Sequence, residues 1–161
     1  MVQKNLHVEL DNIRSAYNVG SIFRTADGTG CTQLHICGIS PYPPNPKVEK
    51  TALGATQSVK WQYHKNSLEA IETLKKMHIP IYSVETSSNA VNYTDINYPK
   101  ELALVLGNEI EGICQLVIDN SDKVIQIPMS GSKGSLNVAT VAGIIMYEAI
   151  RNTKTQNINR K

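Results

Sequence analysis

Much that would point to a specialised scaffold is missing from this 161-residue chain. The three cysteines, Cys31, Cys37 and Cys114, are odd in number and form no C-x-x-C pair, which speaks against a disulfide framework and against a zinc module. The four histidines, His7, His35, His64 and His78, have no metal-ligand spacing, so no metal is expected. No apolar run approaches the roughly 20 residues of a bilayer-spanning helix. The opening MVQKNLHVELDN has no signal-peptide core. No membrane association and a cytoplasmic location are therefore the expectation. Charge is also sparse: 16 basic against 14 acidic residues leave +2, too little to indicate nucleic-acid binding alone. No G-x-G-x-x-G follows a strand. The run Gly131-Ser132-Lys133-Gly134-Ser135 lacks the Walker A ending, so nucleoside-triphosphate hydrolysis is not expected.

What is present is a core. Hydrophobic residues make up 41% of the chain and charged residues 19%, enough for one folded domain. Leu6–Leu10 alternates at period two and reads as a strand. Asn18 is placed as the cap of a helix through Ala26, ended by Gly28 and Gly30. QLHICGI is a strand, and Ser40–Pro46, with its prolines, is a loop. KVEKTALGA reads as a short helix ended by Gly54, and SVKWQYH as a strand. Asn66 and Glu69 form a capping-box pattern before a helix with an apolar stripe of Leu68, Ile71, Leu74 and Met77. PIYSVET and KVIQIPM are strands. Leu102–Gly107 is a continuous apolar run, as in a strand buried on both faces. Ile110–Asn120 reads as helical, and Ser135–Arg151 as the last helix. This alternation predicts an α/β fold with a mostly parallel sheet and helices on both faces. Residues 1–151 form the domain. Residues 152–161 are expected to be a flexible basic tail, with Arg151 at the junction and Lys154, Arg160 and Lys161 beyond it.

In open parallel sheets, ligands bind beyond the carboxyl ends of strands. That rule selects the loops after Thr86, Gly107 and Met129, and three polar clusters lie at strand ends or helix starts. NVGSIFRTA (Asn18–Ala26) carries Arg24. LVLGNEIEGI (Leu104–Ile113) runs a buried strand into Gly107, Asn108 and Glu109. IPMSGSKGSLNVA (Ile127–Ala139) is a Gly/Ser-rich loop opening a helix.

Together, N-x-G-S-I-x-R-T-A, L-x-L-G-N-E-x-x-G and I-P-M-x-G-x-x-x-S-L-N-V-A resemble the three signature motifs of the SpoU/TrmH family, a branch of the SPOUT RNA methyltransferases. KTALGA (Lys50–Ala55) is similar to the family as well, and the resemblance runs from about Leu6 to Arg151. It implies a SPOUT-type α/β knot with a C-terminal trefoil, and S-adenosylmethionine held by Thr86, Gly107, Ile127, Ser135 and Leu136. The implied reaction is methylation of a ribose 2′-hydroxyl in tRNA or rRNA by a homodimer. In the family, the arginine matching Arg24 serves the hydroxyl. Because guanidinium stays protonated in proteins, Arg24 is expected to stabilise the developing oxyanion. Asn18, Glu109, Ser135 and Asn137 would orient it and the ribose. Expected RNA contacts are Arg14, Lys47, Lys50 and Lys133, with Tyr42 in the Pro-rich loop.

Three other readings fit the sequence less well. A SPOUT enzyme acting on a base nitrogen is disfavoured by the first motif, and an inactive RNA-binding module by intact Arg24, Glu109, Ser135 and Asn137. A small-molecule methyltransferase on a Rossmann fold would show a glycine-rich loop where this chain has VELDNIRSAYN.

Overall fold

Alternation along the first strand sorts its side chains onto two unlike faces, and the same sorting repeats across the sheet. The computed structural model describes residues 4–158. The order is β1 (Asn5–Asp11), α1 (Ala16–Thr29), β2 (Gln33–Cys37), α2 (Pro46–Ala52), α3 (Ala55–Ser58), β3 (Trp61–His64), α4 (Ser67–Lys76), β4 (Ile81–Val84), β5 (Val91–Asn92), β6 (Glu101–Gly107), α5 (Gln115–Asp119), β7 (Lys123–Gln126) and α6 (Val138–Ile158). These strands form one sheet in the order β3-β2-β1-β6-β4-β7-β5. Every pairing is parallel, as expected for strands joined through helices. β6 enters between β1 and β4, pairing Asn5 through Asp11 with Glu101 through Gly107 on one side and β4 on the other.

Leu6, Val8, Leu10, Leu34, Ile36, Leu102, Leu104 and Leu106 face one side. They pack with Val19, Ile22, Phe23 and Ala26 of α1 and with Ala142, Ile145, Met146 and Ala149 of α6. On the opposite face, Ala103 and Val105 join Ile71 and Leu74 of α4 and Val117 of α5. That second face turns polar towards β3. His7, Glu9, Asp11, His35 and His64 are all buried there. His7 Nδ1 and His35 Nε2 are 2.9 Å apart, and His35 Nδ1 and His64 Nε2 3.0 Å, a hydrogen-bonded row across three strands. Burial, reinforced by the flanking histidines, lowers His35 to about 3, so it stays neutral. Neither carboxyl oxygen of Glu9 has a hydrogen-bond partner among the described residues. Burial, then the neighbouring Asp11 carboxylate, raises its pKa well above the ordinary carboxylate value.

Several boundaries differ from those read in the sequence. Ser15, not Asn18, caps α1: its side chain accepts from the Asn18 N–H. Met77 closes α4 instead of joining its stripe and is 49% exposed, while Ala70 takes a buried position. Only Gln115–Asp119 of the Ile110–Asn120 stretch is helical. Before it, Asn108 and Gly112 exchange main-chain hydrogen bonds across a tight turn. The last helix starts at Val138, not Ser135, because the Asn137 side chain accepts from the N–H groups of Ala139 and Thr140. That helix also continues beyond Arg151 to Ile158, so the boundary expected between the domain and its tail falls inside α6. Residues 159–161, with Arg160 and Lys161, lie outside the described residues.

Candidate active site

The carboxyl ends of β4, β6 and β7 and the start of α6 surround a cavity of about 310 Å³. Its wall comes from three stretches: Val84, Glu85 and Thr86; Gly107, Asn108, Glu109 and Gly112; and Gln126 and Ile127 through Met129 to Ser135, Leu136, Asn137, Val138 and Val141. All five residues expected to hold a donor, Thr86, Gly107, Ile127, Ser135 and Leu136, line it. So do Glu109 and Asn137.

The local sequence explains the shape. Gly107 ends β6 where there is no room for a side chain: a Cβ there would sit 2.6 Å from the Gly112 carbonyl carbon and the Ile113 nitrogen. The main chain thus folds back on itself at the cavity floor. Asn108 then fixes the turn with its whole amide group. Its Oδ1 accepts from the N–H groups of Ile110 and Glu111, each at 2.9 Å, and its Nδ2 donates to the Asn12 carbonyl at 2.8 Å. Glu85 Oε2 accepts from the Ile113 N–H at 2.8 Å and braces the same turn from β4. Sequence reasoning missed Glu85. Its place directly after β4, at the carboxyl end of a parallel strand, was the signal that could have found it.

A polar chain joins this wall to α1. Glu109 accepts from the N–H groups of Arg14 and Ser15, at 2.9 and 3.1 Å, and from Asn18 Nδ2 at 3.0 Å. Asn137 Nδ2 donates to Asn18 Oδ1 at 3.2 Å. Three expected site residues from three distant segments are thus in direct contact. Partial burial acts to raise the Glu109 pKa, but hydrogen bonds from the Arg14 main chain, Asn18 and the Ser15 main chain outweigh it and hold the carboxyl below its usual value. A carboxylate at the amino end of α1 also suits the helix dipole.

Arg24 stands apart. It is exposed on α1, six residues past Asn18 and therefore about 9 Å further along the axis. It lines a separate open groove with Ser21, Thr25, Lys50, Thr51, Leu53 and Tyr147. Of the residues expected to meet RNA, Lys50 shares that groove, while Arg14, Lys47 and Lys133 are exposed and line neither concavity. Among the described residues, no group of three His, Cys, Asp or Glu side chains could hold a metal ion, and no helix is long and apolar enough to cross a membrane.

The cavity suits an adenosyl ligand. It lies at the low end of the roughly 300–1,000 Å³ of small-molecule sites. Val84, Ile127, Leu136, Val138 and Val141 offer an apolar slot, with polar groups at Glu85, Thr86, Ser135 and Asn137. A parallel sheet with such a cavity at the carboxyl ends of β4, β6 and β7 defines an α/β protein built to hold a nucleoside-type ligand. A family model described as the SpoU rRNA Methylase family matches residues 5–147; the chain belongs to that family. The tRNA (guanosine(18)-2′-O)-methyltransferase of Aquifex aeolicus is 35% identical over 153 residues, 92% of this chain and 70% of that one. The Escherichia coli enzyme of the same name is 32% identical over 149 residues, 92% of this chain and 64% of that one. The crystal structure of the SpoU methyltransferase AviRb from Streptomyces viridochromogenes, in complex with AdoMet, matches with a TM-score of 0.88 at 26% identity, covering 96% of this chain and 62% of that one. This chain therefore spans less than two thirds of the E. coli and Streptomyces relatives.

Proposed function

We propose that this protein transfers a methyl group from S-adenosylmethionine to a ribose 2′-hydroxyl of tRNA or rRNA, and that it does so in the cytoplasm as a homodimer. The observation that carries the reading is the shared wall of the cavity: the loop after β4, the turn after β6 and the loop before α6 meet there, and they contain the residues expected for the donor. Family membership and relatives named as 2′-O-methyltransferases support it. The insertion of β6 between β1 and β4 supports a threaded, knotted C-terminal segment around the donor loops.

When bound, the donor supplies an electrophilic methyl group on a sulfonium centre. The chain's own contribution is placement. Ile127, Leu136 and Val138 would shield the purine of a bound donor, and Glu109, Asn18 and Asn137 tie the amino end of α1 to the cavity rim. A ribose hydroxyl is a poor nucleophile at neutral pH, so orientation and stabilisation of its developing charge carry the rate. Arg24 is suited to the second task. Its position in the groove beside Tyr147 favours a homodimer in which α1 of one copy brings Arg24 to the cavity of the other. Tyr17, Leu53 and Tyr147, at 44%, 66% and 50% exposure, give that contact apolar area.

The test is transfer of labelled methyl from S-adenosylmethionine to unfractionated tRNA and rRNA, followed by nuclease digestion and mass spectrometry of the nucleosides. The expected product is a 2′-O-methylnucleoside. A base-methylated nucleoside overturns the ribose assignment, and binding of RNA without any transfer overturns the enzyme.

A further inference from the structure

A second feature lies on the same rim, away from the cavity. Tyr42, in the Pro-rich loop, and Tyr63, on β3, pack with ring centroids 4.5 Å apart, and Trp61 lies 6.0 Å from Tyr42. The tyrosines are 44% and 38% exposed. β3 is the edge strand of the sheet, so no neighbouring strand covers this ledge. The Tyr63 hydroxyl donates to the Gly38 carbonyl at 2.8 Å.

The ledge is coupled to the cavity through one residue. Asn12 Oδ1 accepts from the Ile39 N–H at 3.0 Å, while the Asn12 carbonyl accepts from Asn108 in the cavity turn. Asn12 (φ 55) and Gly38 (φ 64) both adopt the left-handed conformation, which asparagine and glycine tolerate best. A Cβ at Gly38 would meet Asn12 Oδ1 at 2.0 Å. The ledge and the cavity are thus fixed to a common hinge of main chain, not to independent loops.

Cations flank the ledge in sequence. Lys60 and Lys65 bracket β3 and Lys47 follows the Pro-rich loop, with Glu49 and Glu69 the nearest acids; Glu69 accepts from the Lys65 N–H at 3.1 Å. Both Glu49 oxygens already accept from the Thr56 hydroxyl. Lys47, Lys60 and Lys65 are exposed and make no ion pair among the described residues. Half-exposed, mutually tilted rings with free cations beside the same strand and on the adjoining segment fit a polyanion with unstacked aromatic bases; an acidic peptide would need less ring, and an apolar partner less charge.

We infer that Tyr42 and Tyr63 form a stacking subsite for an unpaired nucleobase of the RNA, which positions the strand for the cavity on the same rim. This rests on the RNA reading above and adds the place where the strand is gripped.

The test uses the full chain and fluorescein-labelled unfractionated tRNA. The Tyr42→Ala/Tyr63→Ala double variant is expected to bind it about tenfold or more weakly, while calorimetric binding of S-adenosylmethionine stays within about twofold of wild type. Tyr42→Phe/Tyr63→Phe keeps the rings and is expected to restore affinity. Trp61, the one tryptophan, reports directly: tRNA is expected to quench its emission in the wild type and the phenylalanine variant. Equal tRNA affinity in the alanine and wild-type proteins overturns the subsite. So does unchanged Trp61 emission, or a change in molecular mass by light scattering with no change in tRNA affinity, which would make the ledge a contact between copies. Failure of the enzymatic reading shows instead in the wild type, as missing donor binding or transfer.

Discussion

Asn18 and Glu109 meet at 3.0 Å, joining α1 to the turn that leaves β6 across ninety-one positions of sequence. The same carboxylate takes the N–H groups of Arg14 and Ser15. Glu109 therefore serves as an external cap for α1, and the cavity rim and the first helix are positioned as one unit.

We predict that Glu109→Gln lowers stability by about 0.5–1.5 kcal/mol: an amide N–H₂ then faces other donors, and solvent at this exposed site offsets part of the loss. Methyl transfer is expected to fall at least tenfold with it. The Glu109 carboxyl is held below its ordinary value, so its contribution is present above the unfolded-state value near 4.5 and is lost as pH falls through the lower folded-state value. Urea unfolding at pH 7 and pH 3.5 checks this: the gap between wild type and variant should narrow at the lower pH, and a gap unchanged by pH would refute the carboxylate's role.

Gly107→Ala should cost donor affinity. The added carbon would meet main-chain atoms of Gly112 and Ile113, which cannot rotate aside. A loss of at least tenfold in calorimetric affinity for S-adenosylmethionine is expected, with about 1–3 kcal/mol of stability. Donor affinity equal to wild type would show that the turn does not form the cavity floor.

Much of this was legible in residue order. The buried run Leu102–Gly107 and the alternation of Leu6–Leu10 gave the two central strands, and the carboxyl-end rule pointed to loops that line the cavity. The turn after β6 misled, because Ile110, Ile113, Val117 and Ile118 have helical spacing. Asn108 diverts the first part by capturing two N–H groups with its own side chain. β5, only Val91–Asn92, is too short to show a period. The position of Arg24 on a different groove from the cavity was not readable at all. It depends on which face of α1 the packing of Val19, Ile22 and Phe23 turns outward.

Arg24→Ala is expected to reduce methyl transfer about a hundredfold or more while leaving donor binding unchanged, because Arg24 lies off the cavity wall. If two copies share each site, mixing the Arg24→Ala and Gly107→Ala proteins, each impaired alone, should raise the rate above that of either, because one site of the mixed dimer is then intact. Rate measurements on the mixture decide: no recovery after subunit exchange argues that each chain completes its own site.

Glu9 predicts an opposite pH effect. The folded protein keeps its proton above the unfolded-state value of 4.5, so the stability tied to that proton is full below 4.5 and is lost as pH rises. Glu9→Gln removes the loss. Thermal unfolding should show the variant gaining on the wild type between pH 5 and pH 8, by up to about 1.4 kcal/mol per pH unit. The row of His7, His35 and His64 is common to both proteins and cancels in the difference. A constant difference across that range would mean Glu9 is ionised in place.

The late arrival of β6 shapes how this molecule must come into being. On an elongating ribosome, β1 emerges with one flank taken by β2 and the other bare until positions 101–107 follow. Pairing across so long a stretch of chain makes slow maturation the expected cost of this topology.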